Sequence, residues 1–162
     1  MMSSKPPEIT LEEIFTMVLG KNVNTQLLNK CIKLYLKISN YSEFQRQNIP
    51  YETSLKIEKS LFNSDGTKKD LEIVLIEQNE IRRKQMLQER LNNAIIAKND
   101  LEVENALRDG ASAKDIIIGY QKYSPLDRAL NQLTTFKNDN LNDIILLLLQ
   151  NGADPNMTNA YN

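Results

Sequence analysis

Histidine and tryptophan are absent from the 162 residues, and cysteine occurs once, at Cys31. Without an imidazole, the chain cannot form a serine–histidine–aspartate triad or any metal site that needs a histidine ligand. A single thiol excludes an intrachain disulfide and an all-cysteine zinc site, and it predicts a reducing compartment. Because Cys31 lies on the apolar side of a leucine-rich segment, we expect it to be buried and structural rather than nucleophilic.

No excess of charge of either sign is present, since 20 basic and 21 acidic side chains leave a net charge of -1. This balance lacks the basic excess of a typical nucleic-acid-binding protein. The longest aliphatic run, 144–149, is far shorter than the roughly 20 residues that span a bilayer. The polar first residues also lack the apolar stretch of a signal peptide. We therefore expect a cytoplasmic protein with no nucleic-acid partner and no membrane insertion.

Helix breakers and aromatic residues are scarce, with 5 glycines, 5 prolines and 6% aromatic residues, which favours an all-α fold. Thr10 and Glu13 have the spacing of a capping box, so a first helix is predicted to begin near Thr10. Gly20 is predicted to end that helix, because glycine tolerates the left-handed conformation found at helix ends.

The spacing of apolar residues predicts further helices over 25–38 and 51–62, with a shorter segment after Tyr41. No glycine or proline occurs between 67 and 109, so 70–98 is predicted to form one long helix or two nearly continuous ones. Its middle is polar almost all round, which is typical of a helix that bridges two bodies. We predict an N-terminal helical module over 1–66, a linking helix over 67–90 and a C-terminal part over 91–162.

The C-terminal part contains a repeated pattern, in which an aliphatic helix is followed by two polar residues and then Gly-Ala. The pattern ends at Gly110 and again at Gly152, 42 residues later. Between them, 124–129 reads Ser-Pro-Leu-Asp-Arg-Ala, where Ser124 can cap a helix that begins at Pro125. These features resemble the ankyrin repeat, with its signature Thr-Pro-Leu-His-x-Ala. The resemblance implies a short helical stack of two divergent repeats over 91–156, longer than the standard period of about 33 residues.

The ankyrin resemblance implies a non-catalytic module that binds a partner protein through its concave surface and fingers. It implies no cofactor, no metal and no small-molecule substrate, and we expect that the chain is not an enzyme. The contact residues it implies belong to the first finger and the helix that follows it: Ile116, Ile117, Ile118, Tyr120, Lys122, Tyr123, Asp127, Arg128 and Asn131.

The N-terminal module carries a second resemblance. Its 7–9, 14–15 and 27–31 segments are similar to an F-box, which implies an adaptor that recruits a cullin ubiquitin ligase. The residues implied to contact the ligase adaptor are Pro7, Ile9, Ile14 and Phe15. An F-box-like module joined to divergent ankyrin repeats resembles effectors that intracellular bacteria secrete into the host cytosol. The residues are equally consistent with an ordinary eukaryotic cytosolic protein. As an alternative to an F-box, the N-terminal helices are consistent with a structural cap that covers the exposed end of the repeats.

Overall fold

The computed structural model describes residues 9–45, 47–115, 123–135 and 139–156. Within these ranges the chain is mostly helical and contains no β-strand, which confirms the predicted all-α fold. The helices are α1 (Leu11–Leu19), α2 (Thr25–Lys37), α3 (Tyr41–Phe44), α4 (Tyr51–Leu61), α5 (Leu71–Ile96), α6 (Asp100–Arg108), α7 (Pro125–Thr135) and α8 (Asp139–Gln150).

The chain divides into two compact units, Met1–Glu80 and Ile81–Asn162. The division falls inside α5, which is a single continuous helix over most of the predicted 70–98 segment. The predicted three-part division, with a linking helix over 67–90, stays a prediction.

The first helix begins as the capping-box spacing predicts. Thr10 Oγ1 accepts a hydrogen bond from the Glu13 N–H at 3.2 Å, and the Glu13 carboxylate accepts one from the Thr10 N–H at 3.0 Å. Gly20 follows the last turn with a φ of +97°, in the region that favours glycine. Both ends of α1 are therefore determined by residues within it or directly beside it.

Aromatic rings fill the centre of the first unit. Tyr35 packs edge-on against Phe15 and Phe62, with ring centroids 5.3 and 5.8 Å apart. Phe15 and Cys31 are fully buried in the same apolar cluster, which draws on α1, α2 and α4. Burial raises the pKa of the Cys31 thiol, as expected for a structural cysteine.

Two turns of the first unit meet at Asn40 and Gly66. Asn40 Oδ1 accepts a hydrogen bond from the Ser42 N–H at 3.0 Å and so caps α3. The Tyr41 N–H donates to the carbonyl of Gly66 at 2.8 Å. Gly66 has a φ of +86°, and a Cβ atom there would lie 2.5 Å from Asn40 Oδ1. The position therefore requires glycine for both its conformation and its space.

The second unit has its own apolar core. The C-terminal turns of α5 and helices α6, α7 and α8 each contribute fully buried aliphatic side chains, and α8 packs against both α6 and α7. The fully buried large residues are Leu91, Ile95, Val103, Pro125, Leu141, Ile144 and Leu148.

Helices α6 and α8 end with the same hydrogen bonds. Gly110 and Gly152 have φ values of +115° and +92°. After each glycine, the alanine N–H donates to the carbonyl five residues earlier, at 2.9 Å for both Ala111 and Ala153. This is the Schellman arrangement, in which a glycine closes the helix and satisfies its last carbonyl groups.

The end of α5 has this arrangement without a glycine. Lys98 adopts a φ of +55°, and the Asn99 N–H donates to the Ala94 carbonyl at 3.0 Å. The side chain of Asn99 also accepts a hydrogen bond from the Glu102 N–H at 3.1 Å, which caps α6. One residue therefore closes α5 and opens α6.

Candidate interaction surface

The start of α7 has the geometry that the Ser-Pro-Leu-Asp-Arg-Ala sequence predicts. Ser124 Oγ accepts a hydrogen bond from the Asp127 N–H at 3.1 Å, and its hydroxyl lies 2.9 Å from Asp127 Oδ2, to which it donates. Pro125 occupies the first helical position, where no backbone donor is needed. Leu126 and Ala129 are buried in the core of the second unit, so this helix presents its other sides outward.

Four of the residues that the ankyrin resemblance implies as contacts are described, and they lie shortly before α7 or within it. The Arg128 guanidinium lies over the ring of Tyr123, 5.3 Å from its centroid, and both side chains are half-buried. Buried Arg128 Nε has no hydrogen-bond partner among the described residues. Asp127 is half-buried and Asn131 is exposed. These four residues lie within 123–131, and the structure brings Arg128 into contact with Tyr123.

The remaining residues of that set, Ile116, Ile117, Ile118, Tyr120 and Lys122, lie outside the described residues, as does Pro7.

The three described residues of the F-box resemblance occupy different environments. Ile14 and Phe15 belong to the core of the first unit, with 3% and 0% of their surface exposed. Ile9 is 41% exposed. Of these three, Ile9 alone offers its side chain to a partner in this conformation.

Gln88 holds the segment that follows α6, a role that its place in the sequence does not predict. Its side-chain amide donates from Nε2 to the Ser112 carbonyl at 2.8 Å and accepts through Oε1 from the Ser112 N–H at 3.0 Å. Both backbone hydrogen-bonding groups of Ser112 are thereby satisfied by one side chain. A lone glutamine in a polar helix gives no sequence signal for this contact, which joins residues 24 positions apart.

Arg90 joins α5 to α6, and this role was also not predicted. Its Nε lies 2.5 Å from Glu102 Oε1 and its Nη1 lies 2.6 Å from Asp109 Oδ2. These two hydrogen bonds raise the pKa of the Arg90 guanidinium, and the bond from Arg90 lowers the pKa of Glu102. An open groove of about 430 Å³ lies beside this cluster, lined in part by Met86 and Ala94. Because the charges are paired with one another, the cluster is organised as a structural link between the helices.

The chemistry available elsewhere in the described residues is limited. No three or more Asp, Glu or Cys side chains in the described ranges are close enough together to hold a metal ion. No helix found in these ranges is both long enough and apolar enough to span a membrane.

Comparison with known proteins identifies no relative: no family model, no curated protein and no solved structure matches this chain. The class that the fold defines is an all-α protein with two compact units.

Proposed function

We propose that this chain is a non-catalytic interaction module that binds a partner protein through two ankyrin-type helix pairs. The first pair comprises the C-terminal turns of α5 together with α6, and the second comprises α7 and α8. The observation that carries the proposal is the local equivalence of these pairs. Their second helices end in the same hydrogen bonds, 42 residues apart.

The first helices of the two pairs also bury the same residue types at the same spacing. Leu91 and Ala94 are buried three residues apart in α5, and Leu126 and Ala129 are buried three residues apart in α7. Leucine fills the core at these positions, while alanine allows a neighbouring helix to approach closely. Repeated helical units that share one continuous core are the physical basis of repeat proteins.

The two pairs depart from a standard ankyrin stack in two respects. The first helix of the first pair is the end of a long helix that begins at Leu71, whereas α7 begins at its own capped terminus. The 42-residue spacing between Gly110 and Gly152 exceeds the standard period, and part of the excess is helical, since α7 continues to Thr135. Neither departure removes the equivalent helix ends and buried residues on which the proposal rests.

The contact surface that we propose includes Tyr123, Asp127, Arg128 and Asn131. Tyrosine and arginine are enriched among the residues that dominate binding energy at protein interfaces. Stacking on Tyr123 restricts the orientation of the Arg128 guanidinium before a partner arrives. Such preorganisation lowers the entropic cost of binding. A carboxylate is the expected partner group, since guanidinium can bind it through two parallel hydrogen bonds.

Affinity capture from a eukaryotic cell lysate, with the whole chain as bait, tests this proposal. The Tyr123→Ala/Arg128→Ala variant should lose a protein that the unmodified chain retains. Truncation of a dominant contact costs about 2 kcal/mol of binding free energy, or roughly thirtyfold in Kd. The matched control is Tyr51→Ala/Lys59→Ala, which removes an exposed tyrosine and an exposed cation from α4.

The proposal requires that the control bait recover the same protein as the unmodified chain. Equal recovery by all three baits would contradict the assigned contact surface. Circular dichroism of each bait establishes that the helical content is unchanged, so that loss of the partner reflects loss of contacts.

The F-box-type adaptor stays an alternative, and the same capture distinguishes it. Recovery of a cullin together with its adaptor, lost on Ile9→Asp, would favour this function. Ile9 is the appropriate position because it is exposed, whereas Ile14→Asp would place a carboxylate in the core and unfold the first unit.

A further inference from the structure

Lysines occupy the exposed side of α2. Lys30, Lys33 and Lys37 are three and four residues apart, so their side chains share one helical face, and all three are exposed. The sequence contains no Asp or Glu between Glu13 and Glu43. The helix therefore presents positive charge alone over a length of about 10 Å.

Little of this charge is neutralised within the protein. Lys30 Nζ donates to the backbone carbonyl of Asn48 at 2.8 Å, which orients the ammonium group but leaves its charge unpaired. Lys33 and Lys37 form no ion pair with any residue in the described part of the chain. Their charges are available to a ligand.

A shallow groove of about 470 Å³ lies on this face, and we call it the α2 groove. Besides the three lysines it is lined by Gln26, Asn29 and Leu34. Leu34 is half-buried, and the methylene chains of the lysines add apolar surface around it. Leu36 is 65% exposed but is two residues from Leu34, so it lies on another side of α2 and outside the groove.

We propose that the α2 groove binds an acidic peptide segment of a partner protein. Carboxylates of the segment lie opposite the three lysines, and its apolar side chains contact Leu34 and the lysine methylene chains. A helical segment with acidic residues at i, i+3 and i+7 matches the spacing of Lys30, Lys33 and Lys37. This surface belongs to the first unit and does not depend on the function proposed for α7.

The observations favour a peptide over a nucleic acid or a membrane. The only aromatic residue of α2, Tyr35, is buried, so no ring on this helix is available for stacking on bases. Recognition of anionic lipid surfaces typically uses four to eight basic residues, whereas this face has three. A groove with an apolar floor and charged edges has the form expected for a peptide with both acidic and apolar side chains.

Fluorescence anisotropy with two defined probes tests the proposal. The acidic probe is a fluorescein-labelled peptide of about 15 residues, built from Glu, Leu and Ala with Glu at i, i+3 and i+7. The basic probe has Lys at each Glu position. The whole chain should bind the acidic probe and not the basic one. Binding should weaken at least about tenfold when the ionic strength rises from about 0.1 M to about 1 M.

Charge reversal identifies the groove itself. Lys33→Glu/Lys37→Glu should weaken binding of the acidic probe at least about tenfold and create binding to the basic probe. The matched control, Lys56→Glu/Lys59→Glu, makes the same change in net charge on α4. It should retain at least about half of the affinity for the acidic probe.

Three results would overturn the proposal. The first is no binding of the acidic probe, and the second is an equal loss of affinity in the two double variants. The third is tighter binding of phosphatidylserine vesicles or of a DNA oligomer, lost through the same lysine substitutions. Each substitution lies on an exposed helical face, so we expect both variants to keep their helical content. Circular dichroism checks this, so that a loss of binding can be assigned to the lost charges.

Discussion

Replacing Gly66 with alanine tests the contact between the two turns of the first unit. A Cβ atom at this position would lie 2.5 Å from Asn40 Oδ1 and 2.8 Å from Asn40 Nδ2, so the asparagine side chain must move. Its movement breaks the hydrogen bond that caps α3. The substitution therefore carries two costs, a strained backbone at a φ of +86° and a lost helix cap.

Each cost can be estimated separately. Placing a side chain at positive φ costs about 1 kcal/mol, or somewhat more. Loss of an asparagine cap costs about 1 kcal/mol. We therefore expect Gly66→Ala to lower the free energy of unfolding by about 2 to 3 kcal/mol. Gly20→Ala is the comparison without a clash, because Gly20 has a φ of +97° and no atom within 4 Å of the added Cβ. Its ψ of 157° lies in a region that is essentially restricted to glycine, so backbone strain alone should cost about 1 to 3 kcal/mol.

Urea denaturation followed by circular dichroism measures these differences. The midpoint for Gly66→Ala should fall by about 1 to 2 M, given a typical dependence of unfolding free energy on urea. A double-mutant cycle with Asn40→Ala separates the two costs, because removing the asparagine side chain also removes the clash. In that background Gly66→Ala should cost only about 1 kcal/mol, a coupling of about 1 kcal/mol. Additive effects of Gly66→Ala and Asn40→Ala, or an equal coupling between Gly20→Ala and Asn40→Ala, would refute the reasoning.

Further predictions concern the second unit, the thiol and one carboxylate. Ser124→Ala should destabilise the second unit by about 1 kcal/mol while Ser124→Thr stays near the unmodified value; equal stability of the two variants in urea would contradict the capping role. Leu148→Ala, in the core, should cost about 2 to 5 kcal/mol, against less than about 0.5 kcal/mol for exposed Leu146→Ala. Cys31 should react with a maleimide far more slowly in the native protein than in urea, since it is buried and its pKa is raised; equal rates would disprove its burial. Hydrogen bonds from the Thr67 hydroxyl and N–H lower the pKa of Asp65. The ionised carboxylate therefore stabilises the fold at pH values above the ordinary aspartate pKa, and this stabilisation is lost as the pH falls through the lowered pKa. Thr67→Ala should raise that pKa in an NMR titration, and an unchanged value would exclude the hydroxyl as its main cause.

The features that could be predicted from sequence are those determined by neighbouring residues. Thr10 with Glu13, Gly20, and Ser124 with Pro125 each act within one turn of a helix, so their spacing in the sequence is also their spacing in the structure. The helix ends at Gly110 and Gly152 follow the same logic, since only the local backbone is involved.

The features that could not be predicted join distant residues. Gln88 meets Ser112 across 24 positions, and Asn40 meets Asp65 across 25. Glutamine and asparagine occur widely on protein surfaces, so nothing in their sequence context selects these contacts. Ile14 and Phe15, which the F-box resemblance implies as contacts, are apolar residues that fit a core and an interface equally well, and only the fold shows that both side chains are buried.

Asn99 couples the opening of two helices. Its N–H completes the end of α5 and its side chain holds the first turn of α6, so fraying of either helix removes a hydrogen bond from the other. We expect the amide protons of Asn99 and Glu102 to exchange with solvent deuterium at the same free energy of opening. The junction would then behave as one cooperative unit rather than as two separately fraying ends.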